Sequence, residues 1–315
     1  MKLEEKLWVE LYRPKKLDEC FLPYRTKKDL RILLEKDILP NMLFSGPPGI
    51  GKTATARAIL EELGVEYIVI NGSLDGNVDT LRNDIQQFAS TISFNGKKKY
   101  VIVDEADFLS QKMQAGLRGF IEQYSKNCGY IFTCNYKDKI MDAIQDSRLS
   151  EVQFLFKGDE KKDLAKAVYS KLIEIFKLEN VEYDPKHVQK FIVDHLSKSN
   201  DLRKLFIKAQ RFSLNGSFAE GFETDEYTAR FDALVDILKA QDFSGMRRWV
   251  GENSDIDAPT IYRYLYDNAK TIINPTLEPL LVILIAKYQF QQAFVADSEI
   301  NIVACMTEIM TDCFK

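Results

Sequence analysis

The stretch Met42 to Ile59, MLFSGPPGIGKTATARAI, constrains the fold of this chain more than any other. The apolar run Met42-Leu43-Phe44 reads as a buried strand. Gly46-Pro47-Pro48-Gly49-Ile50-Gly51-Lys52-Thr53 follows, and Ala54 to Leu60 has helix-forming composition. Strand, glycine-bearing loop, lysine, hydroxyl and helix form the layout of a phosphate-binding loop. Glycines let backbone N–H groups turn inward around phosphate oxygens. The helix that follows aims its partly positive N-terminus at the same anion. Lys52 is placed to reach the β- and γ-phosphates, and the Thr53 hydroxyl to ligate Mg²⁺.

Beyond this loop, strands alternate with helical stretches. Glu66 to Ile70, Tyr100 to Val103, Gly129 to Thr133 and Val152 to Phe156 read as further strands. Thr26 to Leu34 and Val78 to Ser90 read as helices. That alternation predicts an α/β domain with a parallel sheet and flanking helices. After Gly158 the strand pattern ends. Asp159 to Lys177 reads as a helix with Asp159 as a candidate N-cap. Asp184-Pro185 opens a second helix, with proline in its first turn, and Asp201 opens a third. Ser213 to Thr224, with Gly216 and Gly221, is the best linker candidate. From Asp225 the chain again reads helical, interrupted near Pro259 and Pro275. The expected plan is an ATPase-type α/β domain at 1–158, a small helical lid domain at 159–224 and an all-helical C-terminal collar domain at 225–315.

Composition excludes several classes. With 315 residues and a net charge of −4, the chain has no global attraction for nucleic acid, so any DNA contact needs a local basic surface. The five cysteines, 20, 128, 134, 305 and 313, show no metal-ligand spacing, and only His187 and His195 accompany them. They read as buried thiols in a reducing compartment. The longest apolar run, Leu280 to Ala286, is too short to span a bilayer and reads as a core helix. With no basic-then-apolar leader, the expected location is cytoplasmic (a host cell's cytoplasm if the source is viral), with no membrane partner.

Val101-Ile102-Val103-Asp104-Glu105 places two carboxylates at the carboxyl end of a buried strand, the edge where open α/β sheets bind ligands. Asp104 suits Mg²⁺, and Glu105 suits activation of the water that attacks a γ-phosphate. Asn135 ends the next strand, where asparagine serves either as a turn residue or as a hydrogen-bond partner of that water. Arg148 either pairs with Asp146 or reaches a neighbouring subunit's nucleotide. Arg203 lies on a solvated helix face or faces the site. The aromatic segment Leu7 to Pro14 reads as irregular, either a packed N-terminal arm or part of a purine pocket. Lys97-Lys98-Lys99 reads as a solvated turn.

The ordered set WVELYRP, GPPGIGKT, VIVDEAD, TCN, DSR and DLRK resembles the AAA+ ATPases of DNA clamp loaders, over nearly all of residues 7 to 210. LDECFLP, INGS followed by LRNDIQQFAS, and GLRGFIEQYSKN are most similar to the ATPase subunit of T-even-type bacteriophage clamp loaders. The C-terminal third carries little of the resemblance beyond length and helicity. The resemblance implies ATP and Mg²⁺ as cofactors, with Lys52 and Thr53 as the Walker A pair, Asp104 and Glu105 as Walker B, Asn135 as sensor 1 and Arg203 as sensor 2. It further implies Arg148 as an arginine finger acting in trans. Val9, Tyr12, Arg13 and Pro14 would lie against adenine, and the loop from Gly46 through Ala54 would cradle the phosphates. Gln114 and Arg118 would couple neighbouring sites.

The implied assembly is four copies of this subunit with one different small subunit. In DNA replication it opens a sliding clamp and loads it on primer–template DNA held without sequence specificity. Ile92 and Phe94 are the implied clamp contacts, and Arg82 and Lys112 the implied phosphate contacts. Two departures stand out: Leu149 replaces the family's cysteine after Ser147-Arg148, and Ser73 to Thr80 lacks the basic residue through which relatives restrain the glutamate. Two other readings compete. A branch-migration motor would end in a winged helix, for which no pattern appears after Asp225. A non-hydrolysing scaffold subunit would lose Lys52, Glu105 or Arg148, and all three are kept.

Overall fold

The computed structural model describes residues 7–73, 78–93, 96–218 and 224–314, excluding the side chains of 78–82, 146–148 and 224–228. Five strands form one sheet: β1 (Met42–Ser45), β2 (Tyr67–Asn71), β3 (Lys99–Asp104), β4 (Cys128–Cys134) and β5 (Ser150–Gln153), in the order β2-β3-β4-β1-β5. Every pairing is parallel. Side-chain alternation decides the two faces. Met42, Phe44, Tyr100, Ile102 and Ile131 enter one apolar cluster. Leu43, Val101, Val103, Tyr130 and Phe132 enter another on the opposite face. Both faces are thus covered, as parallel sheets require, and the inner strands read as unbroken apolar runs.

On the first face lie α2 (Tyr24–Glu35) and α3 (Lys52–Leu63), and the apolar cluster there continues into α7 (Glu160–Leu178), α8 (Pro185–Lys198) and α9 (Leu202–Phe212), with Trp8 of the short α1 (Trp8–Leu11). The second is covered by α4 (Val78–Ser90), α5 (Gln111–Gln123) and α6 (Asp142–Arg148), through residues such as Ile85, Leu117, Phe120 and Ile144. Each fully buried Leu, Ile or Phe contributes roughly 1.5–3 kcal/mol, which sets these helices in place.

The chain divides into two compact units, 1–220 and 221–315. Helices α7–α9 fall in the first unit and share an apolar cluster with the sheet, whereas the sequence expectation separates them at residue 158. The second unit holds α10 (Thr224–Lys239), α11 (Phe243–Glu252), α12 (Ala258–Asp267), α13 (Ala269–Ile272), α14 (Glu278–Gln292) and α15 (Ser298–Cys313). Leu234, Leu238, Met246, Leu265, Met306 and Ile309 fill its core. Aspartates at 242, 257 and 297 cap α11, α12 and α15. Among the described residues no helix is long and apolar enough to cross a membrane, and all five cysteines are buried thiols.

Several local expectations need correction. The apolar stretch 152–156 is strand only as far as Gln153, because β1 offers four residues for pairing. Phe154 keeps one backbone bond to β1, its amide donating to the Ser45 carbonyl at 2.8 Å, and both Phe154 and Phe156 bury in the core. Lys99 is not in a solvated turn. It starts β3 at 3% exposure, its Nζ donating to Thr91 Oγ1 at 2.5 Å and lying 4.4 Å from the Phe88 ring centre. Asp159 makes no side-chain cap, because its backbone is already helical and its carboxylate pairs with Lys162. The segment after Leu7 is not wholly irregular, since Trp8–Leu11 makes one helical turn. The run 280–286 buries Leu281, Leu284 and Ile285, but Ile283 is 64% exposed, so α14 is apolar beyond the face it buries.

Candidate functional site

Strand order brings the chemistry together. β4 lies between β3 and β1, so the carboxyl ends that carry Asp104, Asn135 and the glycine loop are adjacent. Gly46 (φ 150°) leaves β1 where a Cβ would stand 2.7 Å from the Phe154 carbonyl, so the turn demands glycine. The loop then wraps onto α3, whose first residue is Lys52.

Lys52 is 7% exposed. Its Nζ donates to the carbonyls of Gly46 and Pro47, each at 2.8 Å, and to Asn135 Oδ1 at 2.9 Å. Burial holds its pKa below the ordinary lysine value, opposed by the Asp104 and Asp107 carboxylates and reinforced by the charge of Arg203. Three acceptors satisfy the three ammonium protons, which a buried cation requires.

Asp104 Oδ1 accepts from two hydroxyls, Thr53 Oγ1 at 2.6 Å and Thr133 Oγ1 at 2.5 Å. Thr133 also accepts the Glu105 amide at 3.1 Å. Glu105 itself sits in the left-handed region (φ 53°), a conformation that costs a non-glycine residue about 1–3 kcal/mol. The Thr133 bond fixes it there, and Glu105 lies on the cavity wall. Asp107 Oδ2 accepts the amides of Asn135 and Tyr136 at 3.3 and 3.2 Å, tying the end of β4 to the turn after β3.

These groups line a cavity of about 300 Å³. Of the residues expected at the site, Val9, Tyr12, Arg13, Pro14, Pro48, Gly49, Gly51, Lys52, Thr53, Ala54, Asp104, Glu105, Asn135 and Arg203 all lie on its wall. Gly46 and Pro47 do not, and act through the carbonyls that hold Lys52. Ile50 also lies off the wall, with its side chain in the core at 1% exposure. Arg148 ends α6, and its side chain is outside the described residues.

The wall also includes Trp8 and Glu10 of the aromatic segment, and residues with no role in the sequence reading: Phe21, Thr55, Arg57, Thr133, Lys171, Ile175, Leu202 and Phe206. Several carried a local signal: Trp8 and Glu10 lie in the aromatic segment, Thr55 and Arg57 follow the loop on α3, Thr133 stands two places before Asn135, and Leu202 precedes Arg203. Phe21, Lys171, Ile175 and Phe206 arrive through tertiary packing.

The arm that closes the cavity is fastened to α7 and α9. Trp8 N donates to Gln210 Oε1 at 3.0 Å, the Trp8 ring packs 5.9 Å from that of Phe176, and Tyr12 Oη donates to Glu179. Burial and Glu179 push the Tyr12 pKa up to about 12. Apolar walls from Trp8, Val9, Pro14, Ile175 and Phe206 suit a flat ring system, and the lysine, the arginine and the open end of α3 suit an anion.

Mg²⁺ can be weighed against the donors present. The Thr53 hydroxyl and the Asp104 carboxylate converge at 2.6 Å and are hard oxygen ligands. Among the described residues no group of three or more His, Cys, Asp or Glu side chains forms a metal cage. The pair therefore fits Mg²⁺ held jointly with phosphate oxygens, the usual mode for that ion.

Similarity to known proteins agrees with this geometry. The profile of the ATPase family associated with various cellular activities (AAA) matches residues 42–157. The replication factor C small subunit of Sulfolobus acidocaldarius is 38% identical over 192 residues, 59% of this chain and 57% of that protein. The chain thus spans little more than half the length of such archaeal relatives. The sliding-clamp-loader large subunit of Escherichia phage RB69 is 32% identical over 251 residues, covering 78% of this chain and 77% of that one. Among solved structures, a variant of RuvB from Thermotoga maritima superimposes with a TM-score of 0.52 at 16% identity, over 92% of this chain and 90% of its own, a likeness of fold alone. An AAA core and an extended match to a phage large subunit together establish that this chain belongs to the sliding-clamp-loader large-subunit family.

Proposed function

We propose that this chain is the ATP-hydrolysing subunit of a sliding-clamp loader, which opens a ring-shaped processivity clamp and loads it on primer–template DNA. One observation carries the enzymatic part. Lys52, Asn135, Asp104, Glu105 and Arg203 converge on one cavity from three adjacent strand ends and the start of α9. On this reading Lys52 neutralises the β- and γ-phosphates, and Arg203 approaches the terminal phosphate from the lid formed by α7–α9. Asn135 orients the attacking water and Glu105 accepts its proton. Thr53 and Asp104 would hold Mg²⁺, whose charge screens the phosphate oxygens. Val9, Tyr12, Arg13 and Pro14 border the adenine.

Arg148 acts on the nucleotide of a neighbouring copy, in an assembly of four such chains with one smaller, different subunit. Residues 1–158, 159–224 and 225–315 serve as ATPase, lid and collar. Ile92 is 81% exposed, which supports a clamp contact there; its expected companion Phe94 is outside the described residues. Exposed Lys112, in the first turn of α5, supports backbone contact with DNA. The side chain of Arg82 is outside the described residues. The test is the steady-state ATPase rate of the chain co-expressed with its small subunit, with and without primed DNA and clamp. Stimulation by both is expected. Hydrolysis that neither stimulates would undercut the loader reading while keeping the ATPase.

A further inference from the structure

We propose that Asp201 is a positioning residue that fixes Arg203 against the phosphate loop, so that loop and arginine behave as one element. The proposal rests on the reading of the cavity as a nucleoside triphosphate site. Contacts on every polar group of Asp201 support it. Its Oδ1 accepts the Lys204 amide at 3.0 Å, capping α9. The same oxygen presses on the loop, where a Cβ built on Gly49 would stand 1.9 Å from it.

In return, the first two amides of α9, Leu202 N and Arg203 N, donate to the Gly49 carbonyl at 3.1 and 3.3 Å. The Asp201 amide donates to Ser199 Oγ at 3.1 Å. Its carbonyl accepts from Leu205 N at 3.2 Å and from His195 Nε2, at the last turn of α8, at 2.8 Å. The side chain is 15% exposed.

An ordinary N-cap touches only its own helix. This one joins three elements, and the element it starts carries Arg203 two residues on. The helix start is bonded to a loop carbonyl three residues before Lys52, so a shift of the Gly49 peptide shifts the arginine with it. Any side chain at position 49 would break the contact, and the left-handed backbone there (φ 72°) independently favours glycine.

The experiment compares ATP and ADP affinities of the full chain by calorimetry for wild type, Asp201→Ala, Asp201→Asn, Arg203→Ala and the Asp201→Ala/Arg203→Ala double variant. Losing Arg203, or misplacing it, should weaken ATP roughly ten- to a hundredfold, the scale of one hydrogen bond to a charged group, and leave ADP nearly unchanged. Asp201→Ala should reproduce that selective loss, and the double variant should lose no more than either single one. Asp201→Asn keeps the cap and the shape, and should stay within about twofold of wild type.

Additive losses, or an Asp201→Ala variant that keeps full ATP affinity, would overturn the proposal and leave Asp201 a structural cap. Equal weakening of ATP and ADP would overturn it too, pointing to a deformed loop. A wild-type chain that binds neither nucleotide would remove the reading of the cavity itself.

Discussion

The two compact units treat buried polarity in opposite ways. In residues 1–220, Lys52, Thr55, Asp107, Gln114 and Thr133 are all nearly sealed from solvent. Their partners include backbone and side-chain groups of the glycine loop, of β3 and β4, and of the turns that follow those strands. In residues 221–315 the buried polar side chains among the described residues are Asn253 and Asn301. Asn253 donates to the Trp249 carbonyl at the end of its own helix. Asn301 donates to Tyr262 Oη, the Tyr288 carbonyl and Gln292 Oε1, tying α12, α14 and α15 together. Unsatisfied polar burial is expensive. The first unit bears part of that demand at the strand ends where a ligand would need fixed donors and acceptors, and part elsewhere, as at Lys99 and Gln114. The second uses it to fix a helical packing.

Four substitutions test this contrast. Glu105→Gln should lower ATP turnover by about 10²–10⁴-fold while ATP still binds. Phosphate release and nucleotide titration separate the two effects, and normal turnover would remove Glu105 as the base. Ile309→Ala, at a fully buried position of the second unit, should cost about 2–5 kcal/mol in urea unfolding with intrinsic nucleotide affinity unchanged. A loss of ATP binding there would mean that the units do not divide chemistry from scaffold.

Asn301→Ala should cost about 1–3 kcal/mol and likewise spare nucleotide binding. Asp257→Ala should cost about 1 kcal/mol. Asp257 caps α12 through Thr260 N, much as Asp201 caps α9 through Lys204 N. If the two alanine variants affected ATP equally, the special status of the second cap would be lost.

The sheet was legible because inner parallel strands are buried on both faces and appear as continuous apolar runs, as in Val101-Ile102-Val103. The edge was less so. β5 alternates little and is mostly exposed, and its end is decided by the length of β1, not by its own composition. Lys99 was misread because a charged triplet looks the same whether one member reaches water or an aromatic ring. At the site, every strand-end residue was legible, since motif spacing follows the chain. What closes the cavity over them was not. Trp8, Phe21, Ile175 and Phe206 come from four separate segments, and nothing local ties position 8 to 206. Asp201 could be read as a cap, but its contact with Gly49 spans the unit.

The pairing of β1 has a consequence for how the molecule is made. The strand that launches the phosphate loop has its register partners at 131–134 and 150–153. A nascent chain therefore carries the glycine loop through roughly 75 residues of synthesis before the first neighbour of β1 exists, and such non-local pairing is slow to form. Asn135, which accepts one of the three Lys52 hydrogen bonds, and α9, whose first amides hold Gly49, emerge later than the loop itself. The loop is encoded early and shaped late, so a truncated chain ending before β4 would expose an unpaired apolar strand and a lysine without its asparagine.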